Sequence, residues 1–500
     1  MESLHMALSI LVPLFFLAFA IFKKSQPASS KLPRSYPIFG SFFTFWKNKE
    51  RFAQWTADLV LASPNLTCPI DLGFGRKVVA TANVDNVRHI LKSNFQNYGK
   101  GPFIRSTFKD FLGDGILNVD GESWKFQRQL SIQAFNTRSL RKFVEDVVDS
   151  ELSDRLLPIL KKAASERTVL DFQDILQRFA FDNICMIAFG YDPQYLLPSL
   201  PETKFAVAFE NSTRDSRERV NSIAPIFWKI KRALNIGSEK QLEIAVREVR
   251  DFAKELVSGK KRELQAEKSL HSVDLLSRFL SSGHSDENFG VDIVINFILA
   301  GRDTTSAALT WFFWLLSSHP EVENQILKET KQKAEETSYD EVKNMVYTHA
   351  ALCETMRLYP PVATDTKSAM SDDVLPDGTV MKKGMRVTYH PYAMGRVEKL
   401  WGADWAEFRP VRWLERKEEA GKWSFVNRDS YSYPVFQAGP RICLGKDMAF
   451  LQMKAVVAGV MQQFKVVPVA GPEPVYVTVI TAKMKGGFPV RIEERAQFGS

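Results

Sequence analysis

The chain carries four cysteines in 500 residues, and Cys443 stands apart in the stretch FQAGPRICLGKDMA, from Phe436 to Ala449. Arg441 lies two residues before it and Gly445 two residues after it, where a helix-like run begins. Gly439 and Gly445 let backbone approach closely, and Pro440 stiffens the loop. Cationic neighbours, backbone donors and a helix N-terminus all stabilise a thiolate. One thiolate with no His or Cys companion cannot build a zinc site. It can serve as the single axial ligand of a heme iron. A nucleophilic cysteine and an inert one also fit this stretch taken alone, although no nearby His offers itself as a base.

A second chemical feature lies in VDIVINFILAGRDTTSAALTWFFWLLSSH, Val291 to His319, with Pro320 expected to stop the helix. Twenty-nine residues make ~44 Å of helix. It is apolar nearly all round and should be buried, yet its middle holds Gly301, Arg302, Asp303, Thr304 and Thr305. Buried charge and adjacent hydroxyls are costly, and a Thr hydroxyl can bond its own i−4 carbonyl and bend the turn. Two readings follow: a structural kink, or a groove where a small ligand meets an acid and an alcohol. A third feature is ETMR, which puts Glu354 and Arg357 on one helix face ended by LYPPV. Downstream, FRPVRW supplies Arg412, which could close a Glu–Arg–Arg network.

Together these stretches resemble the cytochrome P-450 family of heme-thiolate monooxygenases. FQAGPRICLG matches the family's F-x-x-G-x-R-x-C-x-G loop, with Phe436, Arg441, Cys443 and Gly445 at defined places. AGRDTT, from Ala300, matches its oxygen-helix motif, and Glu354, Arg357 and Arg412 match its structural network. WKFQR matches W-x-x-x-R, so Trp124 and Arg128 would face a heme propionate together with Arg441. The agreement runs across residues 32–500. It implies a mainly α fold with a minor β portion, and heme b held by Cys443 as the axial iron ligand. Asp303 and Thr304 would guide protons during O2 activation. Electrons would come from NADPH through a separate NADPH-cytochrome reductase. Lys125, Arg138, Arg141, Lys446 and Lys454 are the expected basic patch for that partner. Ala300 stands where animal chain-end hydroxylases carry a heme-linking Glu, so no heme ester is expected.

These residues must be positioned by the rest of the chain. Residues from about 50 to 330 read as mostly helical, with CPIDLGFGRKVVATAN as two short strands joined at Gly73–Gly75. Turns dominate from Thr366 to Trp413, and VYVTVITAKMKGGFPVRI alternates like a hairpin. Glu202 to Lys268 is highly charged and reads as solvated helix faces. At the N-terminus, MALSILVPLFFLAFAIF spans seventeen uncharged residues, ~25 Å of helix and just enough to cross a membrane. Lys23, Lys24, Lys31 and Arg34 follow it, which keeps the body cytosolic. A secretory signal peptide is the rival, but no basic segment precedes the run. The expected organisation is an anchor at 1–22, a basic, proline-rich hinge at 23–41, and a single large catalytic domain at 42–500. By the resemblance, the anchor sits in the endoplasmic reticulum membrane. The net charge of +8 is spread along the chain, with no basic tail, which argues against nucleic acid. Cysteines without CxxC spacing indicate a reducing compartment.

Closer resemblance is to the plant branch that hydroxylates the ends of aliphatic chains, carried by LNIGSE, SDDVLPDGT and FQAGPRICLGKDMAFLQMK. It implies O2-dependent hydroxylation of the terminal carbon of a lipophilic substrate such as a fatty acid or a jasmonoyl–amino acid conjugate, with aldehyde and acid products open. By the same resemblance, substrate contacts fall in Lys100–Asp120, part of 205–235, Asn296–Ala300, Val362–Thr366 and Val479–Thr481. GKGPFIRSTFKDFLGDGILN and PVATDTKSA depart from the fatty-acid pattern. Small Ala363 suggests a roomier pocket, which would suit oxidation of a sterol side-chain end (C-26). Arg105 or Lys109 could instead pair with a substrate carboxylate. A non-catalytic membrane heme protein is the remaining class.

Overall fold

The fold is taken from a computed structural model that describes residues 35–36, 39–73, 76–135, 138–222, 224–266, 274–282, 286–331, 342, 344–416 and 423–496. The apolar run Met6–Phe22 lies outside them. Among the described residues no helix is long and apolar enough to cross a membrane.

Helices dominate, and a five-stranded sheet with smaller sheets flanks them. In chain order, the elements that matter for the site begin with α1 (Phe52–Ala62), β1 (Thr67–Asp71), β2 (Lys77–Thr81) and β3 (Tyr98–Gly99). Next come α2 (Gly101–Leu112), α3 (Gly121–Phe135), α4 (Phe172–Phe189), α5 (Lys204–Asn221), α6 (Pro225–Ala233) and α7 (Gly237–Ala266). Then follow α8 (Glu287–Ile298), α9 (Thr304–Ser317), α10 (Val346–Leu358), β4 (Asp365–Ala369), β5 (Arg386–Tyr389) and α11 (Lys446–Gln463). A terminal hairpin pairs β6 (Tyr476–Thr478) antiparallel with β7 (Ala482–Met484). The five-stranded sheet has the order β1-β2-β5-β4-β3. Its β1–β2 hairpin is the one expected from the sequence, and β2 and β5 form its parallel pair. The strand Pro489–Glu494 does not continue the terminal hairpin; it joins Phe464–Pro468 and Val169–Asp171 in a separate sheet.

The axis of the body is the apolar segment expected to be one helix. It is two helices, α8 and α9, in line through a π-helical turn at Leu299–Asp303. Asp286 caps the start by accepting from the Asn288 amide at 3.0 Å. The end comes at Ser317, and Pro320 opens the next helix, Pro320–Lys331, rather than merely stopping this one. Side chains of α8 and α9 are buried almost throughout, packed by α4, α10 and α11. Gly301 lies against α4: a Cβ there would fall 2.6 Å from the Ile184 side chain.

The charged segment Glu202–Lys268 is not simply a solvated face. Arg219 on α5 is buried and grips Glu239 on α7 through two bonds of 2.9 and 2.6 Å. It also meets Asp110 on α2 at 2.7 Å, and Asp110 in turn takes both arms of Arg232 at 2.9 Å. One buried guanidinium thereby ties together three helices that cover the molecule on one side. Periodicity alone cannot reveal it, because the partners come from separate elements.

His390 supplies a pH-sensitive joint between α1 and the sheet. Its ring is fully buried; Nδ1 accepts from the Ala393 amide at 3.1 Å, and Nε2 lies 2.8 Å from the Thr56 hydroxyl. Thr56 in turn donates to the Phe52 carbonyl. Only a neutral ring fits this chain of bonds, and burial, with Arg396 nearby, holds its pKa down at about 3 against an ordinary 6.5. The unfolded chain takes up this proton below about pH 6.5 and the folded chain does not, so stability falls as pH drops through that range. The expected contribution is about 1.4 kcal/mol per pH unit between roughly pH 6 and 4. Denaturant unfolding of the native chain and of His390→Gln at several pH values should show that excess slope only in the native chain. Identical slopes would contradict it.

Candidate functional site

The loop before α11 is built to present Cys443. It runs through two 3₁₀ turns, Pro434–Phe436 and Gly439–Arg441. Gly439 has φ +66°, and a Cβ there would stand 2.1 Å from the Leu91 carbonyl, so only glycine fits. The Cys443 amide donates to the Phe436 carbonyl at 2.8 Å, and Gly445 begins α11. Cys68, Cys185 and Cys353 are buried, whereas Cys443 is exposed. The sulfur is open to one side, and desolvation by the protein packed on its other sides pushes its thiol up, against the Gly445 amide bonded to it and the charges of Arg128 and Lys446. A cation bound at the sulfur would supply the positive charge that favours the thiolate.

Around this loop lies a cluster of cations. Trp124 and Arg128 project from α3, and the Arg441 guanidinium covers the Trp124 ring at 4.5 Å. Arg441 bonds Asp120 at 2.6 Å and the Val119 carbonyl at 3.0 Å. From the sheet, Lys367 meets Asp365 at 2.9 Å and Lys100 meets it at 3.4 Å. Tyr389 donates to the same carboxylate, and so does Gln437 of the cysteine loop. Burial pulls Lys367 down to about 7, with Lys100 and Arg441 adding like-charge repulsion against the pull of Asp365. Burial alone would raise Asp365, but Lys100 and Lys367 hold it far below the usual carboxylate range. Arg128, near Arg441, has its pKa lowered by burial and raised by Cys443. Four cations thus face two carboxylates, Asp120 and Asp365.

The helix axis offers a second open patch. Ala300 is exposed and Thr304 half-buried, although nearly every neighbour on α8 and α9 is buried. The Thr304 hydroxyl donates to the Ala300 carbonyl at 2.6 Å, across the π turn. Asp303 is buried; one carboxylate oxygen accepts from Thr481 at 3.2 Å and the other has no hydrogen-bond partner. Arg302 lies 3.6 Å from that second oxygen and over the Phe209 ring. Further along, Asp292 and Asn296 pin the segment after α2: Asp292 accepts from the Asp114 amide at 2.8 Å, and Asn296 from Leu117 at 3.1 Å.

Glu354, Arg357 and Arg412 come together. Glu354 and Arg357 are fully buried and join through two bonds of 2.8 Å; Arg412 reaches the same carboxylate at 3.1 Å. Trp413 and the Arg409 amide complete the carboxylate, while Arg357 also binds the carbonyls of Trp405 and Glu407. The network clamps the chain from Gly395 to Trp413 onto α10, which positions the segment leading to the cysteine loop.

The family model for cytochrome P450 matches residues 31–486. The chain belongs to the cytochrome P450 family. It is similar to cytochrome P450 94A2 of Vicia sativa, 63% identical with 96% of each chain covered. It is also similar to cytochrome P450 94A1 of the same plant (60%; 93% of this chain, 91% of the relative). Cytochrome P450 94B1 of Arabidopsis thaliana is 46% identical, with 100% of this chain and 99% of the relative covered. The protein is a heme-thiolate monooxygenase, and its cofactor is heme b held by a cysteine thiolate.

The residues present fit that group. A b-type heme carries two carboxylates, and Lys100, Lys367, Arg128 and Arg441 offer more positive charge than Asp120 and Asp365 neutralise. An accessible sulfur stands beside them. Lys100 and Lys367 escaped sequence reasoning: Lys100 follows β3, Lys367 lies within β4, and only the β3–β4 pairing brings both to Asp365. Three expectations need correction. Lys454 is buried and cannot belong to a docking patch; Lys125 is exposed and paired with Glu122, Lys446 lies near the Phe436 ring, and the side chains of Arg138 and Arg141 lie outside the described residues. Arg105 and Lys109 are both taken by Asp114. Ala363 is packed into the core, so its small size does not enlarge a pocket.

Glu354→Ala leaves Arg357 buried without its charge partner. Breaking a buried pair this way costs about 3–5 kcal/mol. The expected outcome is a chain that expresses but retains little heme, read as the heme-to-protein ratio after purification. Full heme content with unchanged thermal stability would contradict the clamp.

Proposed function

We propose that this cytochrome P450 hydroxylates the terminal carbon of an aliphatic acid, a fatty acid or a jasmonoyl–amino acid conjugate, using O2 and electrons from NADPH. The observation that carries this reading is the near full-length similarity at 63% and 60% to two 94A relatives, joined to the sequence resemblance to the plant chain-end hydroxylases. The same similarity does not favour a sterol.

In this reading Cys443 is the axial ligand. The bound heme would supply O2 activation, with one oxygen atom entering a C–H bond and the other leaving as water with two electrons from NADPH and two protons. The Gly445 amide tempers the charge on the Cys443 sulfur. Trp124, Arg128 and Arg441, with Lys100 and Lys367, hold the propionates. Ala300 gives the axis helix a flat, small surface on the side facing the reaction. Thr304 moves protons: its hydroxyl, which donates to the Ala300 carbonyl across the π turn, can turn to donate to a reacting oxygen. Asp303, bonded to Thr481, resupplies Thr304 with protons.

Membrane attachment belongs to the same proposal. Residues 1–22 form the anchor, 23–41 the hinge, and 42–500 a cytosolic catalytic domain at the endoplasmic reticulum. Support comes from exposed Ile226, Phe227, Ile230 and Leu234 around α6 and from exposed Phe43 and Trp46. Bonds from Ser41 to Asp71 and from Arg76 to Ser222 tie these two segments to one side of the molecule. An NADPH-cytochrome reductase docks on the opposite, Cys443 side.

The test is product mass spectrometry with reductase-containing microsomes, NADPH, medium and long fatty acids, jasmonoyl-isoleucine and hydroxycholesterols. One added oxygen on the terminal carbon of an acid is expected, and Thr304→Ala should lower product per NADPH while hydrogen peroxide rises. Oxygen on a sterol side chain alone would overturn the substrate reading; full coupling in Thr304→Ala would overturn its role.

A further inference from the structure

Two arginines at the ends of neighbouring interior strands of the five-stranded sheet have no counter-charge among the described residues. Arg76 lies just before β2 and Arg386 opens β5; these strands pair in parallel with Val78 opposite Arg386, so the two arginines sit on neighbouring strands two residues apart in register, and the Arg76 charge acts on Arg386. Neither makes an ion pair with a described carboxylate. Arg76 donates to the Ser222 carbonyl at the end of α5, at 2.9 Å, and its Nε is buried with no hydrogen-bond partner. The Arg386 guanidinium lies 4.1 Å from the Phe103 ring of α2. Burial, with the Arg76 charge adding to it, pulls Arg386 down to about 10. Among the other cations here, Arg105 and Lys109 are matched by Asp114, Arg219 by Glu239 and Lys483 by Glu210, whereas Arg217 on α5 lies over the Phe52 ring without an ion pair to a described carboxylate. A partly buried pair of like charges is unfavourable unless an anion joins it.

The register says where that anion's chain would run. Arg386 pairs with Ser368 and Thr388 with Thr366, so Arg386, Thr388 and Thr366 share one face of the β4–β5 pair. The Thr366 and Thr388 hydroxyls touch at 2.8 Å. This stripe leads from the arginine pair into Val362–Thr366, a segment expected to touch substrate. From Arg386 to Tyr389, which binds Asp365 beside the cysteine loop, the strand rises about 10 Å.

We infer that Arg76 and Arg386 form a binding site for the carboxylate of the substrate acid, under the lid made by α2 and the end of α5. This rests on the chain-end reading above and deepens it. A carboxylate held at these strand ends leaves the far end of the chain as the part free to reach the reaction centre, so the arginine pair would set both acid selectivity and terminal regioselectivity. Planar guanidinium forks suit a carboxylate, and bonds of this charged kind are the strong ones.

The experiment uses purified holoenzyme of the native chain, Arg76→Gln, Arg386→Gln and Arg386→Lys, each checked for its reduced carbon monoxide spectrum. Spectral titration and KM are measured with dodecanoic acid, methyl dodecanoate and jasmonoyl-isoleucine. The native chain should bind one or both acids about tenfold or more tighter than the ester. Either Gln variant should erase that preference while leaving ester binding within about twofold, and Arg386→Lys should restore part of it. The acid that loses affinity identifies the carboxylate's source. If Gln variants bind both acids like the native chain while terminal hydroxylation persists, the site is wrong and the chain-end reading stands. If the native chain neither binds nor oxidises either acid, both fall together.

Discussion

Uncompensated positive charge beside an accessible cysteine sulfur is the constraint on which the rest depends. Lys100, Lys367, Arg128 and Arg441 surround the Cys443 loop, and among the described residues Asp120 and Asp365 are the carboxylates paired with them. A protein interior does not tolerate such a surplus unless an anionic partner completes it. The family's heme supplies two carboxylates for the cations and a metal for the sulfur. Much of the architecture follows from holding those groups in place. The glycine at 439 brings the loop against Leu91, the Glu354 clamp fixes the chain leading to it, and the short β4–β5 pair carries Asp365 and Lys367 to its edge.

The axis helix answers a different demand. An uninterrupted α-helix would bond every carbonyl internally and leave nothing for a reactant. The π turn at Leu299–Asp303 interrupts the regular ladder, and the Thr304 hydroxyl donates to the Ala300 carbonyl across it. Asp303 waits behind with one carboxylate oxygen unmatched. Above this axis, α2, α5 and α7 are bound to one another through Arg219, Glu239 and Asp110, while Asp292 and Asn296 fasten the α2 segment to α8. The cover is therefore ordered by buried polar bonds between elements.

Legibility in the sequence followed the range of the interaction. Cys443, Arg441 and Gly445 could be read directly because the chemistry needs those identities within a few residues of one another. The same holds for Glu354 and Arg357 on one helix face, and for Gly301 to Thr305 inside an apolar run. The mainly helical body and the β1–β2 hairpin were also legible from period and turn residues. Lys100 meeting Lys367 through Asp365, and Arg76 meeting Arg386, were not, because strands of four or five residues join parts of the chain roughly three hundred residues apart and leave no local pattern. Charge without context misled at Lys454, which is buried, and at Arg105 and Lys109, whose partner Asp114 lies only a few residues on.

The measurement closest to the central claim is the reduced carbon monoxide difference spectrum of the native chain beside Cys443→Ser, with heme content determined on both. If Cys443 is the ligand and the cation cluster seats the propionates, the native chain gives the long-wavelength Soret band of a thiolate-bound heme. Cys443→Ser then loses that band even where some heme is retained through Arg128, Arg441, Lys100 and Lys367. A Cys443→Ser protein that keeps the native band would contradict the account, since the thiolate would have to come from elsewhere in the chain.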